Sequence, residues 1–82
     1  MKNEITEIFT IKEYGHIDVK LSEVLHKKGI SRNKLAKLVG AKYDVINRYY
    51  KNKDIIKVDI DLLAKICCVL NCDISDLLEY RK

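Results

Sequence analysis

The most constraining feature of the sequence is a small residue, a glycine and a branched apolar residue at fixed spacing. Ala36 lies four residues before Gly40, and Ile46 lies six residues after that glycine. A small side chain lets two helices cross closely, and glycine adopts the positive φ that a tight turn requires. A branched apolar residue then packs the second helix onto the first. The spacing therefore predicts two short helices that cross at a tight turn.

Signals for helix ends extend this pattern to a whole domain. Residues that favour a left-handed helix end follow four segments of helical apolar spacing: Gly29, Gly40, Asn52 and Asn71. Candidate N-caps are Ser31, Asp59 and Asp73. The side chains expected to face inward include Leu21, Val24, Leu25, Leu35, Leu38, Val39, Val45, Ile46, Tyr49, Ile60, Leu63, Ile66, Cys67, Leu70, Ile74, Leu77 and Leu78. These signals predict a compact all-α domain of five short helices joined by short loops.

The first nineteen residues have a different pattern. Ile5–Ile11 is rich in β-branched residues, and His16–Val19 alternates between polar and apolar residues. Tyr14 and Gly15 lie between these segments and could form a turn, so the sequence predicts a short hairpin or an extended arm. We therefore divide the chain into an N-terminal arm, residues 1–19, and a helical domain, residues 20–82.

Positive charge is concentrated in the middle of the chain. Between Lys27 and Lys57 there are ten Lys or Arg residues and two acids, Asp44 and Asp54, whereas the rest of the chain has six bases and ten acids. Such a window predicts a basic face and a polyanionic partner. An ordinary solvated surface rich in lysine is the alternative interpretation.

Several classes of function lack the residues that they need. The three cysteines show no CxxC spacing, and His16 and His26 have no Glu or Cys at metal-ligand spacing. We therefore expect no metal, no cofactor, no small-molecule substrate and no enzymatic activity. No apolar run approaches the roughly 20 residues that span a bilayer. The N-terminal segment contains the acidic residues Glu4 and Glu7 and lacks the apolar stretch of a signal peptide. We therefore expect a cytoplasmic protein with reduced thiols and no membrane partner.

Residues 20–80 resemble the phage-repressor and Cro-like helix-turn-helix family. The resemblance runs from Lys-Leu-Ser-Glu-Val-Leu-His-Lys-Lys-Gly-Ile-Ser through Asn-Cys-Asp-Ile-Ser-Asp-Leu-Leu-Glu. It implies a helix-turn-helix at residues 31–53 and a transcriptional regulator that binds double-stranded DNA. The helix after Ser31 would cross the DNA backbone, and the helix from Lys42 to Lys51 would enter the major groove. A homodimer on two half-sites is the expected binding unit.

The resemblance also assigns residues that would contact bases. Tyr43, Asp44 and Arg48 stand where the family reads base edges. Arg48 could bind guanine O6 and N7, and Asp44 could accept from cytosine or orient Arg48. Tyr43 could contact a thymine methyl group or a phosphate. Asn47 is a further candidate for contact with adenine or phosphate.

Other residues match positions that contact phosphate in the family. Arg32 begins the crossing helix, where the helix dipole favours anions. Lys51, Asn52 and Lys53 match the loop that holds the next phosphates, and Lys42 is an additional candidate.

The sequence departs from the family at three places. Leu25 and Tyr50 replace the Arg–Glu pair that many members carry, and this exchange keeps a contact without a buried charge. Lys34 replaces the glutamate of the usual capping box. The usual glutamine or serine residues are absent from the base-reading positions. No operator sequence can therefore be transferred from the family.

Two questions stay open at this point. The first is function, because a helix-turn-helix can also serve as a protein-interaction module, for example as an antitoxin-like partner or an anti-regulator. The second is the dimerising element. It could be the N-terminal arm, the exposed side of the helix that holds Leu62 and Cys68, or the final helix.

Overall fold

Short helices make up most of residues 14–82, the part of the chain that the computed structural model describes. The elements in chain order are β1 (His16–Val19), α1 (Leu21–Lys28), α2 (Arg32–Val39), α3 (Tyr43–Lys51), α4 (Ile60–Leu70), α5 (Ile74–Leu77) and β2 (Leu78–Arg81). The prediction of a five-helix domain is confirmed. Within these residues, no helix is both long enough and apolar enough to cross a membrane.

The helices begin and end where the capping signals predict. Gly29, Gly40, Asn52 and Asn71 follow the four longer helices with left-handed φ values of 68°, 70°, 54° and 51°. The Ser31 hydroxyl accepts a hydrogen bond from Lys34 N at 3.1 Å, and Asp59 Oδ1 accepts one from Leu62 N at 3.1 Å. These bonds satisfy amides that have no partner within the first helical turn.

The core lies between α2, α3 and α4 and extends to α1 and α5. Its buried residues are Val19, Leu21, Val24, Leu25, Leu35, Ala36, Val39, Ile46, Tyr49, Leu62, Leu63, Ile66, Leu70 and Leu77. The inward prediction is wrong for Leu38, Ile60 and Ile74, which are exposed. Leu38 lies to one side of the Leu35–Val39 stripe, and the two isoleucines are the first residues of their helices. The placement of Leu62 on an exposed face is also wrong, because its side chain is buried.

The predicted strand at His16–Val19 is present, but its partner is the C-terminal strand. β1 pairs antiparallel with β2, with Val19 opposite Leu78 and His16 opposite Arg81. Leu78 was expected in the final helix, which instead ends at Leu77. Side chains alternate between the two faces of a strand, so Leu78 in β2 lies on the same face of the sheet as its partner, buried Val19. An extended chain therefore packs Leu78 against the core better than another helical turn would. The other predicted hairpin strand, Ile5–Ile11, lies outside the described residues.

The second face of the small sheet is charged. Arg81 pairs with Asp18 and Glu79, and Lys20 Nζ lies 3.4 Å from Glu79 Oε1. Gly15 approaches the backbone of Arg81 so closely that a Cβ at this position would overlap it. Glycine is therefore required where the chain enters β1.

Candidate nucleic-acid interface

The crossing of α2 and α3 has the geometry that the spacing of Ala36, Gly40 and Ile46 predicts. Ala36 is buried at the crossing, and its carbonyl oxygen accepts a hydrogen bond from Ala41 N at 2.9 Å. Gly40 has a φ of 70°, and the Ile46 side chain is fully buried. The interlocked pair gives α3 a fixed position on the surface of the domain.

α3 has one buried face and one exposed polar face. Ile46 and Tyr49 pack into the core, and the Tyr49 hydroxyl accepts a hydrogen bond from Asp59 N at 3.0 Å. At 100° per residue, the opposite arc carries Asp44, Asn47, Arg48 and Lys51. Asp44, Arg48 and Lys51 are exposed, and Asn47 is half-buried at one side of this arc. Helix packing therefore turns most of the predicted base-reading residues toward solvent.

Arg32 joins the two helices of the motif. Its Nη1 donates a hydrogen bond of 2.7 Å to Asn47 Oδ1, and its guanidinium lies 4.1 Å from the centre of the Tyr50 ring. The aromatic ring attracts the cation through its negative face. Tyr50 also packs against the core, and it lines one surface groove together with Leu25 and Arg32. Arg32 is thus held in place before any ligand binds.

Asn52 joins the end of α3 to β1. Its Oδ1 accepts from Val19 N at 2.8 Å, and its Nδ2 donates to Asp18 Oδ1 at 3.0 Å. The latter bond is the main reason why the pKa of Asp18 is lower than usual. The sequence predicts Asn52 in the phosphate-binding loop. It gives no indication of the contacts that Asn52 makes with Val19 and Asp18. The bonded residues are more than thirty positions apart, so no local signal could have revealed them.

Exposed basic residues lie at both ends of α3. Lys42 precedes the helix, and Lys51 and Lys53 lie at its end. Arg48 lines a shallow groove with the loop at residues 54–57. Within residues 14–82, no ion pair joins Asp44 to Arg48, although their spacing would allow one. The Arg48 guanidinium therefore faces solvent, available to a ligand.

Cys67 and Cys72 come together where α4 ends. Cys72 N donates to the Cys67 carbonyl across the left-handed Asn71, and this turn places the two thiols near one another. Burial, followed by the neighbouring Cys67 thiol, raises the pKa of Cys72 to about 11. Among residues 14–82 there is no group of three side chains suited to hold a metal ion.

Comparisons with known proteins match this chain to DNA-binding domains. The model of a family described as a Cro/C1-type helix-turn-helix DNA-binding domain matches residues 20–82. A crystal structure from Bacteroides fragilis, provisionally described as a DNA-binding protein, is 26% identical with a TM-score of 0.69, and the match covers 78% of this chain and 100% of that one. The transcriptional regulator VanUg is 23% identical with a TM-score of 0.69, over 99% of this chain and 97% of that one, which shows a shared fold. No curated protein matches the sequence.

Proposed function

The chain belongs to the family of Cro/C1-type helix-turn-helix DNA-binding domains, and from this membership we propose a sequence-specific repressor of transcription. Membership supports a DNA-binding transcription regulator in general terms. The finer proposal is that α3 enters the major groove of double-stranded DNA while the start of α2 contacts the backbone. We propose no catalytic activity and a cytoplasmic location for the protein.

The exposed polar face of α3 carries this proposal. Arg48 is exposed and free of an ion pair with Asp44, so it can donate two hydrogen bonds to guanine O6 and N7. Asp44, one turn earlier, can accept from the amino group of cytosine. Tyr43, 40% exposed at the start of the helix, can contact a thymine methyl group or a phosphate.

Basic residues around this face would contact the phosphates. Lys42, Lys51 and Lys53 flank the two ends of α3, and Arg32 lies at the start of α2. A Lys or Arg side chain that neutralises a phosphate releases counterions condensed on the DNA. Each such contact therefore contributes to affinity without reading the base sequence. We assign Asn52 to the same loop, where its side-chain hydrogen bonds to Val19 and Asp18 hold the loop that carries Lys53 against β1.

The proposal includes a homodimer, because one domain of this size covers only a small stretch of DNA. Of the three candidate dimerising elements, the N-terminal arm has the best support, through the sheet that its strand β1 forms with β2. Ile17 and Tyr80 are opposite one another in the sheet and are 53% and 57% exposed. The face holding Leu62 and Cys68 is less suitable, since Leu62 is buried.

Selection of bound fragments from random duplex DNA tests this function. We expect the wild-type chain to enrich one motif with two half-sites about 34–36 Å apart, as two copies of α3 would require. Arg48→Ala should relax the preference for guanine at one position of each half-site, with a decrease of roughly 1–3 kcal/mol in discrimination. If the fragments bound by the wild-type chain show no enriched motif, the result would contradict the proposal.

A protein-interaction module is the second candidate, and exposed apolar side chains favour it. Ile56 is 93% exposed in the loop after α3, close to the presumed DNA side. Large exposed apolar groups are common where proteins bind one another. If Arg48→Ala and Lys53→Ala leave DNA retention unchanged, the interaction module is the better account.

A further inference from the structure

We propose that Asn47 acts toward DNA as a hydrogen-bond donor only, and that Arg32 imposes this polarity. The inference rests on the proposed function and adds a rule for the base that Asn47 can face. Asn47 would bind the acceptor edges of guanine or thymine and would reject adenine. Arg32 is a positioning residue in this scheme, because it acts on the base through Asn47.

The first step is the direction of the Arg32–Asn47 hydrogen bond. A guanidinium group has five N–H donors and no acceptor, so the amide atom that faces it must be the oxygen. The Nη1–Oδ1 distance of 2.7 Å is short, as expected when the donor carries a charge. Tyr50, beneath the guanidinium, restricts the movement of Arg32. The carbonyl of Asn47 is therefore held toward α2.

The second step is the position of the Asn47 amide nitrogen. Asn47 lies on the exposed arc of α3, one turn after Tyr43 and Asp44 and one turn before Lys51. Among residues 14–82, no protein group accepts a hydrogen bond from Nδ2. Because the amide group is planar, an oxygen directed toward α2 leaves the nitrogen directed away from it. The side that a DNA groove would occupy thus meets N–H groups.

The third step is the base edge that these donors fit. Adenine recognition by asparagine needs both amide atoms on one edge, with the nitrogen at N7 and the oxygen at the N6 amino group. Here the oxygen is bonded to a cation, which would also repel an amino group. Guanine presents two acceptors, O6 and N7, and thymine presents O4. The preference for adenine that asparagine would otherwise have is therefore reversed.

Selection from random duplex DNA tests this polarity directly, with four variants beside the wild-type chain. The wild type should enrich guanine or thymine at one position of the motif, and Asn47→Ala should abolish the base preference at that position. Arg32→Met keeps a long side chain but frees the Asn47 oxygen, so adenine should rise roughly tenfold relative to guanine there. Lys34→Met removes one nearby charge without touching Asn47. It should lower affinity for all sequences and leave the base preference unchanged.

Asn47→Asp provides a second route if Arg32→Met fails to fold. The carboxylate keeps its bond to Arg32 but offers only acceptors, so cytosine or adenine should replace guanine or thymine at that position. An adenine preference in the wild type that Asn47→Ala abolishes would overturn the inference. So would an unchanged base preference in both Arg32→Met and Asn47→Asp. A wild-type chain that selects no sequence would contradict the proposed function as well, which separates the two failures.

Discussion

Two polar side chains connect the candidate DNA-binding helix to its neighbours. Arg32 connects α3 to the start of α2 through Asn47, and Asn52 connects the end of α3 to β1 through Val19 and Asp18. On a free surface residue, the polar groups that form these hydrogen bonds would be bonded to water instead. The position of α3 therefore depends on hydrogen bonds at its middle and at its C-terminal end as well as on its buried face.

Replacement of Asn52 by glycine isolates the contribution of its side chain. Asn52→Gly keeps the left-handed helix end but removes the bonds to Val19 N and Asp18, so we expect a decrease of about 1–2 kcal/mol in the free energy of unfolding. Asn71→Gly is the matched control, since Asn71 caps α4 with a similar φ. Its effect should stay within about 0.5 kcal/mol. Equal decreases in urea denaturation would contradict the role given to Asn52.

The thiols of Cys68, in α4, and of Cys72, just after that helix, should differ in their reaction with iodoacetamide. Alkylation requires the thiolate, and burial raises the pKa of Cys72 to about 11, so Cys72 is protonated at pH 8. We expect exposed Cys68 to be alkylated first and the Cys72 rate to rise roughly tenfold per pH unit up to about pH 10. Mass spectrometry of the peptides measures both rates. Equal rates in the folded chain at pH 8 would contradict this prediction, whereas in urea the difference should disappear.

At the scale of elements, α2 shows how one helix face determines the fold. Leu35 is fully buried, whereas Leu38 is 51% exposed on the same helix. Leu35→Ala should lower the free energy of unfolding by about 2–5 kcal/mol, because it leaves a cavity under the helix crossing. Leu38→Ala removes the same atoms from the surface and should change it by less than about 0.5 kcal/mol. Denaturation monitored by circular dichroism compares them, and similar decreases would contradict the assigned packing.

Helices were predictable from the sequence because their signals are local. Ser31, Gly40 and Asn52 determine helix ends through bonds within a few residues, and the structure confirms them. The pairing of β1 with β2 was not predictable, because its strands are about sixty residues apart in the chain. In the same way, residue types suggested the candidate site, but the Arg32–Asn47 bond depends on how two helices cross. The roles of the site residues toward DNA stay predictions.

At the scale of the whole molecule, the small sheet offers a surface for a second copy of the chain. Its apolar face continues from the core through Val19 and Leu78 to exposed Ile17 and Tyr80. We expect the double substitution Ile17→Thr and Tyr80→Thr to weaken the homodimer in sedimentation experiments, because threonine keeps the tendency to form strands but removes apolar area. These substitutions are cleaner than deletion of residues 1–17, which should also weaken dimerisation and operator affinity but removes half of β1.

The matched control for this surface is Ile56→Thr, which removes the most exposed isoleucine of residues 14–82 and lies in a different part of the domain. It should leave the monomer–dimer equilibrium unchanged. A weaker dimer after Ile56→Thr, with no effect of the two sheet substitutions, would place the interface at the loop after α3 instead.

The salt dependence of DNA binding is the most direct test of whether α3 and its flanking lysines bind DNA. Fluorescence anisotropy with duplex DNA gives affinity over a range of salt concentrations for the wild type, for Lys51→Ala/Lys53→Ala, and for the control Lys65→Ala/Lys82→Ala. We expect a steep log–log slope for the wild type, shallower by about 0.9 for each phosphate that Lys51 or Lys53 neutralises, and little change in the control. A wild-type affinity that does not depend on salt, or equal effects of the two double variants, would contradict DNA binding through α3.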